Sequence, residues 1–456
     1  MLTGILCESR LQSRIDVDGQ HAMVVLHETD DVESQPMNIR TSLLVLLAAG
    51  FVTAGVAPGR AADMGDWIGT WGASAQPVWA PDFLPAPKVP PNFFDQTVRE
   101  LATISIGGSK VRVVLTNEYG TKPLTIGATH VAILDKGAAI RAGSDRALTF
   151  GGKDAITIPP GAPAISDPVD LAVAPLATLA VSLYLPAVTP ATTFHWEGRQ
   201  TAAIIKGNHV ADADFKPDST MTAKVFLSEI LVDAKPGARA IVTFGDSITD
   251  GDGSTVDANH RWPDNLARRL AERAGPPVAV INEGISGAKV LKDRMGTNAL
   301  ARFDHDVLVQ AHADTVVLMM GINDIGWPGM LLSPDDKVPT ADEIIAGYQQ
   351  LIARAHLHNL RIFGATLTPF EDTFHGTPLF GYYSPEKDKV REAVNKWIRE
   401  SGQFDGVLDF DAVVRDPARP AHVLAAYDAG DHLHPNDAGY VAMANSIDLD
   451  KLVGNH

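Results

Sequence analysis

Ala240-Ile241-Val242-Thr243-Phe244-Gly245-Asp246-Ser247-Ile248-Thr249-Asp250-Gly251 is a short branched apolar run that stops at a glycine and breaks at once into small polar residues. The run reads as a strand, and a helix-length segment, 262–273, follows it. The same rhythm recurs downstream. Residues 278–281, 315–320, 362–367 and 407–410 are further short apolar runs, and 342–358 and 385–400 have helical length and spacing. Strands alternating with helices imply parallel pairing and a three-layer α/β domain, whose ligand site lies beyond the carboxyl ends of the strands. Ser247 stands at such an end.

Upstream of this stretch the period changes. Val111, Val113 and Leu115 alternate with Arg112 and other partners, and Leu179, Val181, Leu183 and Leu185 repeat the period of two. Ile104 and Ile106 alternate in the same way and are followed by Gly107-Gly108-Ser109, which reads as a turn. Short alternating runs punctuated by Gly, Pro and Asn predict an antiparallel β-sandwich. Asp233-Ala234-Lys235-Pro236-Gly237-Ala238 reads as the linker between the halves. There is no internal repeat and no low-complexity tract.

The start of the chain reads as a leader. Arg40 precedes an apolar run from Leu43 to Ala57, and small residues follow at Ala61 and Ala62. That is the pattern of a secretory signal peptide, and the run is shorter than the roughly 20 residues a membrane span needs. The expected organisation is therefore an upstream extension at 1–36, a signal peptide at 37–61, a β-rich accessory domain at 62–235 and a catalytic domain at 236–456. The mature protein is expected outside the cytoplasm, secreted or periplasmic, without stable membrane insertion.

Composition narrows the chemistry. Among 456 residues, 38 are basic and 55 acidic, a net charge of −17, which repels phosphate backbones and anionic lipid. Nucleic acid is thus a poor partner and an uncharged substrate a better one. Cys7 is the only cysteine, so no internal disulfide or zinc–thiolate site can form. Chemistry must rest on oxygen and nitrogen.

Candidate reacting groups stand at the carboxyl ends of successive strands. Ser247 follows the first. Asn282-Glu283-Gly284-Ile285-Ser286-Gly287 ends the second, and Gly287 can offer a backbone N–H with no side chain in the way. Gly321-Ile322-Asn323-Asp324 ends the third, and the neutral amide of Asn323 can donate to a developing oxyanion. Near the C-terminus, Asp431 and His434 are three apart, so one loop can set the carboxylate against one ring nitrogen and leave the other for a serine. His432 receives no role. Each of these residue types also serves in ordinary caps and turns. Their joint placement meets the needs of acyl transfer.

These blocks, Gly245-Asp246-Ser247, Gly287, Gly321-Ile322-Asn323-Asp324 and Asp431-His432-Leu433-His434, resemble those of the SGNH, or GDSL, hydrolase family over about residues 238–450. The β-rich half also resembles a domain found ahead of the catalytic domain in some bacterial lipase/acylhydrolases. The resemblance implies a flavodoxin-like α/β/α fold and ester hydrolysis with no metal or other cofactor. It assigns Ser247, Asp431 and His434 to the triad and Ser247, Gly287 and Asn323 to the oxyanion hole. The family acts on acetylated sugars, lipids and simple esters, so the resemblance implies no single substrate, and a small-molecule or polysaccharide-linked ester is expected. The aromatic stretches 327–339 and 370–383 predict a modest apolar acyl pocket, which favours short acyl chains or acetyl groups. The resemblance does not imply an oligomeric state. Thr249 stands where the G-x-S-x-G elbow of α/β-hydrolases has its second glycine, which separates the two families.

Two competing readings make distinct demands. A metal-dependent hydrolase would use Asp246, Asp250, Asp252, Asp257, Asp431, His432, His434 or Asp437 as ligands. The opening Asp250-Gly251-Asp252 imitates a calcium loop, yet Thr255 and Arg261 occupy positions that need glycine and glutamate. A non-catalytic carbohydrate-binding protein would use Trp67, Trp71, Trp79 and Trp196, residues expected instead to fill a core. The stretches 327–339 and 370–383 are long and aromatic enough to wall a site.

Overall fold

The structure, a computed structural model, describes residues 66–79, 88–331 and 333–454. The expected upstream extension and signal peptide lie outside the described residues. Among the described residues, no helix is long and apolar enough to cross a membrane.

Among the described residues, every strand pairing of the N-terminal half is antiparallel. One sheet runs β1 (Trp67–Gly72), β7 (Leu227–Asp233), β3 (Gly108–Thr116), with short strands beyond β3. The other carries β6 (Ala202–Lys206), β2 (Gln96–Thr103), β5 (Thr178–Leu185) and β4 (Ala128–Lys136) in that order. Val111, Val113 and Leu115 of β3 and Leu179, Val181, Leu183 and Leu185 of β5 are fully buried in one hydrophobic cluster, as a period of two requires when one face is covered.

The expected turn at 107–109 is displaced. β2 ends at Thr103, Ile104–Gly107 makes the turn, and β3 begins at Gly108. The Thr70 hydroxyl explains the shift, since its Oγ1 donates to Ile106 O and accepts from Ile106 N, both at 2.8 Å. Ile104 and Ile106 are buried as turn residues. Ser105 between them does separate work, described below.

The C-terminal half holds a parallel five-stranded sheet in the order β9 (Val278–Gly284), β8 (Arg239–Gly245), β10 (Ala313–Met319), β11 (Arg361–Ala365), β12 (Gly406–Leu408). The sequence order 2-1-3-4-5 is that of flavodoxin-like sheets, with its switch point beside the first strand. Alternate residues feed separate cores. Val242, Phe244, Val316 and Leu318 pack under helices α4 (Ala341–Leu357) and α5 (Pro385–Glu400). Ile241, Val317, Met319 and Phe363 pack under α2 (Trp262–Ala271) and α6 (Asp437–Ser446). Thr340 caps α4 in a reciprocal box with Glu343, and Ser384 caps α5 ahead of Pro385.

The described residues of both halves pack as one compact unit. The linker is short, from the end of β7 to the start of β8, and β1 lies against edge strand β9. Glycine permits the approach, since a Cβ on Gly69 would come within 2.8 Å of Ile281 and one on Gly72 within 2.6 Å. Ser105 Oγ accepts from Val280 N at 3.0 Å, covering a backbone donor that the edge of the parallel sheet would leave open. The core cluster is continuous across both halves.

Candidate active site

Strand β8 delivers its carboxyl end to Asp246 and Ser247. Asp246 caps the one-turn helix Ser247–Asp250, its Oδ1 accepting from Ile248 N at 3.1 Å. Burial pushes the Asp246 carboxyl up to about 7. Ser247 opens the turn, and its N–H has no acceptor within a helix that starts there.

Ser247 Oγ lies 2.8 Å from His434 Nε2. The other ring nitrogen, Nδ1, donates to Asp431 Oδ2 at 2.5 Å, while Asp431 Oδ1 accepts from the N–H groups of Leu433 and His434 at 3.0 and 2.9 Å. One four-residue loop, 431–434, thus fixes the carboxylate, the ring and the ring's tautomer. Burial opposes charge on Asp431, but His434 and these donors outweigh it and hold the carboxyl well below the usual range. Burial likewise opposes charge on His434, but Asp431 and Asp252 outweigh it and raise the ring to about 9. His432 faces elsewhere and donates to Asp428 Oδ2 at 2.5 Å.

Gly287 and Asn323 stand on the other side of the serine. Gly287 has φ +75°, and a Cβ there would strike the Met295 sulfur, so the position needs glycine twice over. Among the described residues its N–H meets no acceptor. Asn323 is buried, and its Oδ1 accepts from Trp327 Nε1 and Tyr382 OH, each at 2.8 Å. Those donors force the amide to present Nδ2 on its remaining side, where one hydrogen reaches Ala288 O at 3.0 Å and the second stays available. Asp324 accepts from Val290 N at 2.7 Å and Leu291 N at 3.0 Å, tying the loop after Gly287 to the turn that carries Asn323.

All five candidates, Ser247, Gly287, Asn323, Asp431 and His434, line one cavity of about 240 Å3. Its remaining wall is largely apolar: Trp196, Met295, Trp327, Met330, Phe374 and Leu379. Residues of both aromatic stretches reach the site, Trp327 and Met330 from the first and Phe374, Leu379 and Tyr382 from the second. A larger depression of about 600 Å3 opens beside Arg361, Asp405 and Lys451. It sits at the amino ends of β11 and β12, away from every candidate group, so we place the chemistry in the smaller cavity.

The sequence reading missed several contributors. Trp71 and Trp79 are buried as expected, but Trp196, expected in the core, reaches the cavity wall. Met295 was not singled out. Its carbonyl accepts from Gln76 Nε2 at 2.8 Å and Trp79 Nε1 at 2.7 Å, both from the sandwich. Nothing in the sequence links residues 76 and 295; the link exists only once β1 docks on β9.

The acids weighed as metal ligands are dispersed. Asp257 accepts from Thr201 N and Oγ1, Asp437 pairs with His260 at 2.8 Å, and Asp250 faces His195 and Ser286. Among the described residues, no group of three or more His, Cys, Asp or Glu is placed to hold a metal ion.

With this geometry in place, comparison with known proteins gives a family for one domain of the chain. The model of the family described as GDSL-like Lipase/Acylhydrolase matches residues 241–447. The chain carries a GDSL-family hydrolase domain. A domain of this family supports reading the protein as a serine ester hydrolase. No curated protein matches the chain. Solved structures similar to part of this chain include the aryl esterase of M. smegmatis, at 17% identity over 46% of this chain and 95% of that one, TM-score 0.37. A carbohydrate acetylesterase family member from Sinorhizobium meliloti is 20% identical over 46% of this chain and 94% of its own, TM-score 0.34. A variant of an acetyl-xylooligosaccharide esterase from Geobacillus stearmophilus is 24% identical over 48% of this chain and 95% of its own, TM-score 0.33.

Proposed function

We propose that the protein hydrolyses short-chain carboxylic esters through an acyl-enzyme on Ser247, outside the cytoplasm. The observation that carries the reading is the unbroken line Ser247 Oγ to His434 Nε2 at 2.8 Å and His434 Nδ1 to Asp431 Oδ2 at 2.5 Å, at the wall of an apolar cavity. His434 takes the serine proton as Oγ attacks the ester carbonyl. The N–H groups of Ser247 and Gly287 and the amide of Asn323 meet the oxyanion. The intermediate collapses, His434 protonates the departing alcohol, and water repeats the sequence on the acyl-enzyme to free the acid. Asp431 holds the ring in its tautomer and stabilises its cation.

Cavity size supports the acyl preference. About 240 Å3 lies below the range of drug-sized sites and suits a small acyl group, and the apolar wall suits its hydrocarbon part. Export is inferred from the basic residue, apolar run and small residues between 37 and 61. N-terminal sequencing of protein recovered outside the cell tests it, with a start near Ala62 expected.

An acyl-length series of p-nitrophenyl esters tests the activity, with wild type beside Ser247→Ala. Turnover is expected to be highest from acetyl to butyryl and abolished in the variant, and a serine-directed phosphonate should label the wild type alone. Equal turnover by wild type and Ser247→Ala would overturn the mechanism. A maximum on a long-chain ester would overturn the substrate class alone.

A further inference from the structure

We infer that the N-terminal sandwich is part of the catalytic machinery, and that its His195 is a positioning residue for the oxyanion side. The inference rests on the acyl-transfer reading above. His195 ends the short strand Thr193–His195, whose partners are strands of the N-terminal half. Its ring nevertheless crosses into the GDSL domain. Nε2 lies 3.0 Å from Asp250 Oδ1, and Nδ1 lies 3.0 Å from Ser74 O. Both facing atoms are acceptors, so the ring bridges the backbone of the sandwich and a carboxylate of the GDSL domain. The pair is sealed from water, with side chains 5% and 2% exposed.

Asp250 joins two pieces of the site. It closes the helical turn that Ser247 opens, three residues on. Its second oxygen, Oδ2, accepts from Ser286 N at 3.0 Å and Ser286 Oγ at 2.8 Å. Ser286 directly precedes Gly287, so the peptide that presents the Gly287 N–H is held by this carboxylate. The order of contact is His195, Asp250, Ser286, Gly287. A second tether runs in parallel, from Gln76 and Trp79 of the sandwich to the carbonyl of Met295, whose side chain fills the space beside Gly287.

The consequence is kinetic. An oxyanion donor acts mainly in the transition state, so loosening its support lowers kcat and leaves KM for a small ester nearly unchanged. A buried carboxylate left without His195 has one donor fewer and is free to tilt, and Ser286 and Gly287 tilt with it. A purely structural histidine would instead lower thermal stability and leave turnover per intact site alone.

The test compares wild type, His195→Leu and His195→Gln on p-nitrophenyl acetate, with active sites counted by phosphonate titration and Tm measured for each. His195→Leu should lose about tenfold in kcat per titrated site, with KM within about twofold, a part of what removing an oxyanion donor outright costs. His195→Gln keeps a donor toward Asp250 and should recover much of the loss. Should the histidine variants fail to fold, Asp250→Asn leaves the sandwich intact and should show the same split. A kcat per site unchanged in the variant that folds overturns the inference, whatever happens to Tm. Ser247→Ala in the same series separates this from failure of the acyl-transfer reading: a variant as active as wild type sinks that reading, whereas a dead Ser247→Ala with fully active His195→Leu sinks only the role of His195.

Discussion

In the mechanism proposed above, the two flanks of Ser247 are built on different principles. On the acid–base flank, Asp431 and His434 lie three residues apart, and a single loop supplies the carboxylate, the ring and the backbone donors that fix them. On the oxyanion flank, Gly287 and Asn323 come from separate strand ends, and their supports arrive from as far as Gln76 and His195 in one direction and Tyr382 in the other. The first flank is local and self-sufficient. The second exists only when the whole chain has packed. Substitutions should therefore act abruptly on the first and by degrees on the second.

Asp431→Asn should have the largest effect. Its amide retains the shape but no longer fixes the ring as an Nδ1 donor, and a loss of roughly 10^4 in kcat is expected. Steady-state turnover checks it, and a loss under about tenfold would show that Asp431 does not set the tautomer. On the opposite flank, Asn323→Ala should cost about 10²–10³ in kcat with the protein still folded, because Gly287 and Ser247 retain their N–H groups. If the two substitutions cost the same, the proposed division of labour fails.

Tyr382→Phe sharpens the contrast. Asn323 Oδ1 would keep Trp327 as a donor and lose only the phenol. One neutral hydrogen bond is worth about 1 kcal/mol, so kcat should fall about fivefold with KM unchanged. Combined with Asn323→Ala, the Tyr382 change should add nothing, since its effect passes through that amide. Additive losses would assign Tyr382 to the substrate instead.

The same local-versus-distant division governs what could be read from the sequence. Strands β8 to β12 and helices α2, α4 and α5 are visible because branched apolar runs and helical spacing are local patterns. Asp431 and His434 are visible because their separation alone allows contact. Ile104–Gly107 was misread because a hydroxyl 34 or more residues away, on Thr70, decides where the strand ends. Trp196 was assigned to the core because an aromatic residue in a β-rich segment has that as its commonest fate, and only the docking of the halves brings it to the cavity. Asp250 was visible as one acid in a cluster suggestive of a metal. Its partners, His195 and Ser286, lie 55 and 36 residues away, and no spacing rule reaches them.

The smallest expected effect concerns Asp252, which approaches the self-sufficient flank from outside. Its Oδ2 lies 3.9 Å from His434 Nε2, on the serine side of the ring, and Arg199 of the sandwich half holds Oδ1 at 3.4 Å. Its charge adds to that of Asp431 in favouring the imidazolium, against the burial that opposes it. His434 serves as a base only when neutral, so kcat/KM should be lost as pH falls through the ring's raised value of about 9, giving an acid limb on the alkaline side of an ordinary histidine. Asp252→Asn removes one carboxylate from the ring's surroundings. The imidazolium is then less favoured, the limb moves to lower pH, and activity near neutrality rises while the alkaline plateau stays level. A pH profile of kcat/KM for the two proteins decides it. A limb that stays in place would mean that Arg199 already neutralises Asp252, and the acid–base flank would be as independent of the sandwich as its sequence suggests.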